Sequence, residues 1–168
     1  MIGDSAGGHL TLAAAYTAGH PELAGTQYGW ADQPDHLNVI CDMFGVSILD
    51  EFQDRFFAES GVKRAKFGGS TADLTPVAFG SDKNLLKILS PISYVCKEIP
   101  PTLILQGKID SIVPYQQATL LYERICEVCG EGRAELLLYE DRNHEDYAFY
   151  ADDALCKTVL PFFDRYLK

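Results

Sequence analysis

The sequence lacks any long apolar run. No stretch of ~18 or more apolar residues occurs among its 168 residues, so we expect no membrane-spanning helix. The opening residues Met1 to Asp4 also lack the basic and apolar regions of a signal peptide, and we expect none in this stretch. Apolar residues make up 47% of the chain and charged residues 23%, which is typical of a globular protein.

Basic residues are also scarce. The chain has 14 Lys and Arg residues against 24 Asp and Glu residues, which gives a formal net charge of −10. Because an acidic surface repels phosphate backbones, we expect no nucleic-acid partner. No cluster of His, Asp and Glu residues has the spacing of a metal site, and the sequence predicts neither a metal nor another cofactor.

The five cysteines do not form the pattern of a disulfide framework, because their number is odd and their spacing irregular. Cys126 and Cys129 have the spacing of a redox or zinc pair. They fall in a helical stretch without a second such pair, and we interpret them as helix cysteines of which one or both are buried. The odd count slightly favours a reducing cytoplasm.

Strands and helices are predicted to alternate along the chain. Short apolar runs predict buried strands at 37–46, 102–106 and 134–139. Alanine-rich composition and helical spacing of apolar residues predict helices at 5–18, 49–57, 84–89, 115–128 and 152–167. This order indicates an α/β fold, a parallel sheet with helices on both faces, in a single domain over residues 1–168. Within it, residues 61–80 are predicted to form a lid or insert.

The residues Gly3 to Gly7 read GDSAG, which fits the G-x-S-x-G pattern of a nucleophile elbow. In such an elbow the serine lies on a tight strand-to-helix turn, and Gly3 and Gly7 avoid side chains that would collide there. The helix after Ser5 directs its positive end at the site, and the backbone N–H of Ala6 is the expected oxyanion donor. Ser5 is therefore the candidate nucleophile.

A serine nucleophile needs a base that is held in place by a third group. In hydrolases with this elbow an acid and then a histidine follow the serine along the chain, each after a strand. Asp110 follows the strand at 102–106 and His144 follows the strand at 134–139, so both are expected at the same edge of the sheet. We predict that Ser5, His144 and Asp110 form a catalytic triad.

Each of these assignments has an alternative when it is taken alone. Asp110 could cap a turn, and His144 could be a surface histidine. Asp141 and Asp146 are rival acids, but both lie too near His144 in sequence to reproduce the usual geometry easily. The remaining histidines are interpreted as structural or solvated: His9, His20 and His36.

Five segments together resemble the carboxylesterase/lipase branch of the α/β-hydrolase superfamily, in particular acetyl-esterase and feruloyl-esterase-like enzymes. They are GDSAGGHL, SPISYV, the stretch from Pro100 to Glu123, NHED and the terminal PFFDRYLK. The resemblance implies a serine hydrolase that cleaves small-molecule carboxylic esters through an acyl-enzyme. It gives Ser5, Asp110 and His144 the triad roles and Ala6 one oxyanion N–H. It also implies that Gly68-Gly69-Ser70 matches the glycine-rich stretch of the family's insert.

The sequence departs from that family in three places. Gln106-Gly107 replaces the usual His-Gly, and Asp141-Arg142-Asn143 precedes His144 where the family has Gly-x-Gly. The family also has an N-terminal half with further strands and a His-Gly-Gly oxyanion loop. We therefore expect the C-terminal portion of an α/β-hydrolase, a partial fold that lacks the N-terminal strands. Its three-stranded sheet would have an exposed edge through which two chains could form a homodimer.

Two other functions remain open at this point. A serine peptidase of the prolyl-oligopeptidase type has the same element order in its C-terminal half, although such enzymes usually add a large domain that nothing here indicates. A catalytically inactive fragment that acts as an assembly module is the non-enzymatic alternative. The missing oxyanion loop favours it, whereas the intact set of serine, acid and histidine favours an enzyme.

Overall fold

The computed structural model describes residues 1–20, 23, 33–49, 54–65 and 82–167. Four strands form one sheet in the order β1-β2-β3-β4. They are β1 Ile2–Asp4, β2 Ile40–Met43, β3 Thr102–Gly107 and β4 Ala134–Tyr139. Each pairs in parallel with its neighbour, as the alternation of strands and helices predicted.

The helices described are α1 Ala6–Tyr16, α2 Asp54–Ser60, α3 Lys83–Ile88, α4 Gln116–Cys129, α5 Asp152–Ala154 and α6 Leu160–Tyr166. A π-helical turn at Leu155–Val159 joins the last two, and 3-10 turns occupy Pro91–Tyr94 and Tyr147–Phe149. The predicted helices are confirmed, most of them to within two residues at each end. The helix predicted at 49–57 is described from Asp54 onward. Most of the predicted lid at 61–80, including Gly68-Gly69-Ser70, lies outside the described residues.

The residues immediately before Ser5 form a strand that the sequence pattern did not reveal. In β1, Ile2 pairs with Cys41 and Asp4 pairs with Met43 of β2. The expectation of a three-stranded sheet is therefore wrong, because three extended residues are too few to show a period-two alternation. β1 is an outer strand of the described sheet and Ile2 is 46% exposed. The homodimer through this edge stays a prediction.

Alternate strand residues point to opposite faces of the sheet, and each face is covered. On one face Ile40 and Ile104 pack against α1 and α4, through Leu12, Tyr16, Ala118, Leu121 and Ile125. On the other face Cys41, Met43, Leu103 and Leu105 pack against the C-terminal helical segment, through Phe149, Val159 and Phe162. These two apolar clusters confirm the predicted arrangement of helices on both faces of a parallel sheet.

Cys126 and Cys129 lie in α4 as predicted. Both are partly exposed, so the prediction that at least one is buried is wrong. The buried stripe of α4 runs through Ala118, Leu121 and Ile125, and the two cysteines lie beside it.

Among the described helices, none is both long and apolar enough to cross a membrane.

A buried glutamine fixes the chain that leaves β2. The side-chain Oε1 of Gln117 accepts hydrogen bonds from the backbone N–H groups of Ser47 at 3.0 Å and Ile48 at 2.7 Å. Its Nε2 donates to the carbonyl of Ile48 at 2.9 Å. Because these backbone groups are buried and need partners, Gln117 holds the segment after β2 against α4, next to the sheet edge that bears the site.

Asp42 is a buried acid in the middle of the sheet. Its side chain is 1% exposed, and its Oδ1 accepts a hydrogen bond from the N–H of Gly45 at 3.0 Å. A Cβ added at Gly8 or at Gly45 would collide with this oxygen, so both glycines make room for the carboxyl group. Burial raises the pKa of Asp42 to about 7, although the hydrogen bond from Gly45 lowers it in part.

We predict that Asp42 makes the stability of the protein depend on pH. Its pKa is raised in the folded state, so the folded protein retains a proton that the unfolded chain releases from about pH 4 upward. The contribution of protonated Asp42 to the free energy of unfolding is fully present below pH 4, and it is lost as the pH rises to about 7. Relative to Asp42→Asn, the wild type should lose about 2–4 kcal/mol of unfolding free energy between pH 4 and pH 8.

Urea denaturation at a series of pH values measures this difference. Asp153→Asn is the control, because the side chain of Asp153 is 80% exposed and pairs only at the surface with Lys157. The same pH dependence in the wild type and in Asp42→Asn would contradict a protonated Asp42.

Candidate active site

The carboxyl ends of the four strands lie at one edge of the described sheet, because all four strands are parallel. Ser5 follows β1, Phe44 follows β2, Asp110 lies in the loop after β3, and His144 lies in the loop after β4. Sites in open parallel sheets gather at this edge. The fold therefore places the three predicted triad residues on neighbouring loops.

The three side chains form a continuous hydrogen-bonded chain. Ser5 Oγ lies 2.8 Å from His144 Nε2, and His144 Nδ1 lies 2.8 Å from Asp110 Oδ2. The side chains of His144 and Asp110 are 4% and 1% exposed. Because a carboxylate can only accept, Nδ1 donates to Asp110 and Nε2 is free to accept the hydroxyl proton of Ser5. This arrangement can activate the serine as a nucleophile.

Ser5 has the backbone strain expected of a nucleophile elbow. Its φ of 49° and ψ of −118° lie in a region that residues other than glycine rarely adopt. Two hydrogen bonds hold it there: Ser5 N donates to Met43 O at 2.9 Å, and His9 N donates to Ser5 O at 3.0 Å. Since α1 begins at Ala6, the N–H groups of its first turn have no acceptor within the helix. Ala6 is exposed at this end of α1.

The two elbow glycines differ in their surroundings. A Cβ at Gly3 would lie 2.5 Å from Thr11 Oγ1 and would also collide with the carbonyl group of Gly7, so Gly3 allows the close contact between β1 and α1. A Cβ at Gly7 would meet only Asp4 Oδ1, at 3.5 Å, among the residues described. The collision that the sequence analysis expected at both positions is therefore present at Gly3, and at Gly7 that expectation is wrong.

Asp110 both caps a turn and faces the histidine. Its Oδ1 accepts from the backbone N–H groups of Ile112 and Val113, each at 2.8 Å, while its Oδ2 faces His144. Asp110 therefore caps a turn, as the alternative interpretation expected, and the same carboxyl group also contacts His144. Of the rival acids, Asp146 caps the 3-10 turn through a hydrogen bond from Ala148 N at 2.9 Å.

Asn143 connects the loop of Asp110 to the loop of His144. Its Oδ1 accepts from Ser111 N at 2.9 Å and from Ser111 Oγ at 3.1 Å. The same oxygen accepts from the backbone N–H of His144 at 2.7 Å. The two loops also touch directly, because a Cβ at Gly107 would collide with the backbone of Arg142. No pattern in the sequence predicted this role for Asn143 or Gly107, although both lie in the motifs around His144 and Asp110.

Arg142 stabilises the approach to His144 and stands at the variable middle position of the family's Gly-x-Gly stretch. Its guanidinium lies 3.5 Å from the centre of the Tyr139 ring and 4.9 Å from that of Phe149. Cation–π contacts of this kind favour a fixed position for the charged side chain. The sequence departs from the family at Asp141 and Asn143, on either side of Arg142, and His144 still lies beside Ser5.

Phe44 is a site residue that the sequence analysis did not identify. It is completely buried and has a φ of 44°. Its ring packs edge-on against the imidazole of His144, with centroids 4.9 Å apart. The residues other than glycine with positive φ in the described part of the chain are Ser5, Phe44 and Glu145, so the strained backbone clusters at this site. The sequence pattern places Phe44 inside the strand predicted at 37–46, whereas β2 ends at Met43, so no signal in the sequence marked Phe44 as a site residue.

Tyr150 ties the nucleophile elbow to the chain that follows His144. Its hydroxyl donates to Asp4 Oδ2 at 2.6 Å. Burial raises the pKa of Tyr150 above its usual range, and the hydrogen bond to Asp4 adds to this rise. Because Asp4 directly precedes Ser5, this contact links the elbow to the loop that bears His144.

The residues described contain no group of three or more His, Cys, Asp or Glu side chains that could hold a metal ion.

Comparisons with known proteins show a family match and relatives that are named esterases. A family model described as BD-FAE matches residues 1–125. The chain is similar to Esterase LipQ of Mycobacterium tuberculosis, with 31% identity over 123 residues, which is 70% of this chain and 26% of that protein. It is also similar to Esterase LipC of the same organism, with 30% identity over 134 residues, 74% of this chain and 29% of that protein. The matched region thus spans little more than a quarter of these curated relatives.

Solved structures share the fold. A truncated form of a carbohydrate esterase from gut microbiota superposes with a TM-score of 0.71 at 20% identity, over 99% of this chain and 59% of that one. A propionate-bound esterase, Est2 of the Planctomycetes species Thermogutta terrifontis, gives a TM-score of 0.64 at 22% identity, over 99% of this chain and 53% of that one. The described sheet therefore corresponds to part of an α/β-hydrolase fold.

We predict that the two elbow glycines respond differently to the same substitution. Gly3→Ala inserts a methyl group against backbone atoms and should lower the unfolding free energy by about 1–3 kcal/mol. Gly7→Ala has room for the methyl group and lies in a helix, where alanine is favoured by up to ~1 kcal/mol, so its stability should be unchanged or higher. Urea denaturation of both variants measures the difference. Equal destabilisation would mean that the contact at Gly3 is not the tighter one.

Proposed function

Because the chain belongs to the BD-FAE family, we propose that it is a carboxylic-ester hydrolase that works through an acyl-enzyme intermediate. Ser5 is the nucleophile, His144 the general base and Asp110 the acid that orients it. The observation that carries the proposal is the pair of 2.8 Å contacts from Ser5 Oγ to His144 Nε2 and from His144 Nδ1 to Asp110 Oδ2. The esterase names of the relatives support the choice of an ester as substrate.

The proposed reaction begins when Ser5 Oγ attacks the ester carbonyl while His144 Nε2 takes the hydroxyl proton. The imidazolium that forms is stabilised by the carboxylate of Asp110. The negative charge on the carbonyl oxygen is stabilised by the N–H of Ala6 at the start of α1. When the tetrahedral intermediate collapses, the leaving alcohol takes the proton from His144, and the acyl group remains on Ser5.

Hydrolysis of the acyl-enzyme repeats these steps with water. His144 Nε2 takes a proton from the water molecule as its oxygen attacks the acyl carbonyl, and Ala6 again faces the developing charge. Collapse breaks the bond to Ser5 Oγ, which recovers its proton from His144, and the carboxylic acid leaves. The site is thereby returned to its starting protonation state.

A serine hydrolase of this kind should react with a fluorophosphonate probe. We expect one adduct per chain by intact-mass analysis, because the probe phosphonylates only an activated serine. Ser5→Ala should abolish the adduct, whereas Ser93→Ala should keep it, since Ser93 is an exposed serine whose Oγ donates to the carbonyl of Lys87. A folded wild-type chain without an adduct would contradict the proposal and favour the inactive assembly module.

The triad should also behave as one unit in kinetics. We expect Asp110→Asn to lower kcat for a short-chain p-nitrophenyl ester by roughly 10³–10⁴-fold, because an amide favours the wrong tautomer of His144. The double variant Ser5→Ala/Asp110→Asn should be no slower than Ser5→Ala alone, since residues that act together are not additive. Losses that multiply in the double variant would show that Asp110 acts independently of Ser5.

A further inference from the structure

Gln106 lies directly behind the acid of the triad. It is the residue before the last in β3 and is completely buried. Its Nε2 lies 3.0 Å from Asp110 Oδ2, the same oxygen that lies 2.8 Å from His144 Nδ1. One carboxylate oxygen therefore faces two donors, one from the base and one from the sheet.

The carboxylate of Asp110 has a donor at each of its positions. Oδ1 accepts from two backbone N–H groups, those of Ile112 and Val113, and Oδ2 accepts from His144 and Gln106. A carboxylate offers about four such positions. A buried charge is tolerated only when these are filled, and Gln106 supplies the one donor that comes from neither the acid's own loop nor the base.

The amide of Gln106 has only one orientation that suits its surroundings. Besides Asp110 Oδ2, its Nε2 lies 3.3 Å from the carbonyl oxygens of Gly107 and Val113. The opposite orientation would place Oε1 against three oxygens. In the observed one, Oε1 is buried and has no hydrogen-bond partner among the described residues. A buried oxygen without a hydrogen-bond partner lowers the stability of the fold, whereas an apolar side chain at this position would not. We therefore expect the hydrogen bond from the Gln106 amide to Asp110 to have a functional role.

We propose that Gln106 is a positioning residue of the triad: it holds Asp110 Oδ2 in the direction that orients His144 toward Ser5. This inference rests on the proposed function. Gln106 is too deeply buried behind Asp110 to touch a substrate, so it acts through the acid. Its loss should slow the chemical step and leave substrate binding unchanged.

The test compares variants with and without a donor at position 106. Gln106→Met removes the donor with little change in side-chain length or shape. We expect kcat for a short-chain p-nitrophenyl ester to fall about 10–100-fold in this variant, with KM within about twofold, because a small misorientation of the base is costly. Gln106→His restores a donor and should recover part of kcat.

The matched control is Gln116→Met. Gln116 also has a buried Oε1 without a partner in the described part of the chain, and its Nε2 donates to the carbonyl of Phe56 at 3.1 Å, away from Asp110. It controls for the loss of a half-satisfied buried amide. Its kcat should equal that of the wild type, whatever its effect on stability.

A second readout does not depend on turnover. The low-field proton NMR signal of His144 Nδ1–H reports its hydrogen bond to Asp110. We expect this signal to shift or broaden in Gln106→Met and to be unchanged in Gln116→Met. An unchanged signal and an unchanged kcat in the Gln106 variants would overturn the inference while leaving the proposed function intact. If the wild type neither hydrolyses esters nor reacts with the probe, the proposed function fails, and the NMR signal alone decides whether Gln106 orients the acid–base pair.

Discussion

The parallel pairing of four neighbouring strands is the constraint on which the rest of this structure depends. Ser5 and His144 are 139 positions apart in sequence, yet Oγ and Nε2 lie within 2.8 Å. The sheet achieves this because each strand ends at the same edge, with Asp4 in register with Met43 and Gly107 in register with Tyr139. Each of the segments that follow β1, β3 and β4 then contributes one side chain to the site: Ser5, Asp110 and His144.

Strain and close packing concentrate at that edge. Ser5 and Phe44 both have a positive φ, a conformation that costs of order 1–3 kcal/mol for a residue with a side chain. The surroundings offset that cost: the backbone of Ser5 is bound to Met43, and the missing side chain of Gly3 lets α1 pack closely on β1. Ser5 is thus held in a backbone conformation that is unfavourable in a free peptide.

Hydrogen bonds between loops complete the site. Asn143 joins the loop of His144 to Ser111 beside Asp110, and Tyr150 joins the chain after His144 to Asp4 beside Ser5. Both contacts link residues far apart in sequence, and both fix polar groups before any substrate arrives. Donors and acceptors that are already oriented need no reorganisation during a reaction, which is the main way in which such sites stabilise developing charge.

The sequence by itself determined the order of elements, the three longer strands and the identity of Ser5, Asp110 and His144 as a candidate triad. These features are local: strand runs, a glycine-flanked serine, and polar residues that follow strands. Only the tertiary structure decided that Ile2–Asp4 is a strand, that Gly3 is more tightly enclosed than Gly7, and that Phe44, Asn143 and Tyr150 support the histidine and the elbow. The physical reason is that a three-residue strand has no detectable period, and that the contacts of a buried side chain are made by residues distant in sequence, which no local pattern records.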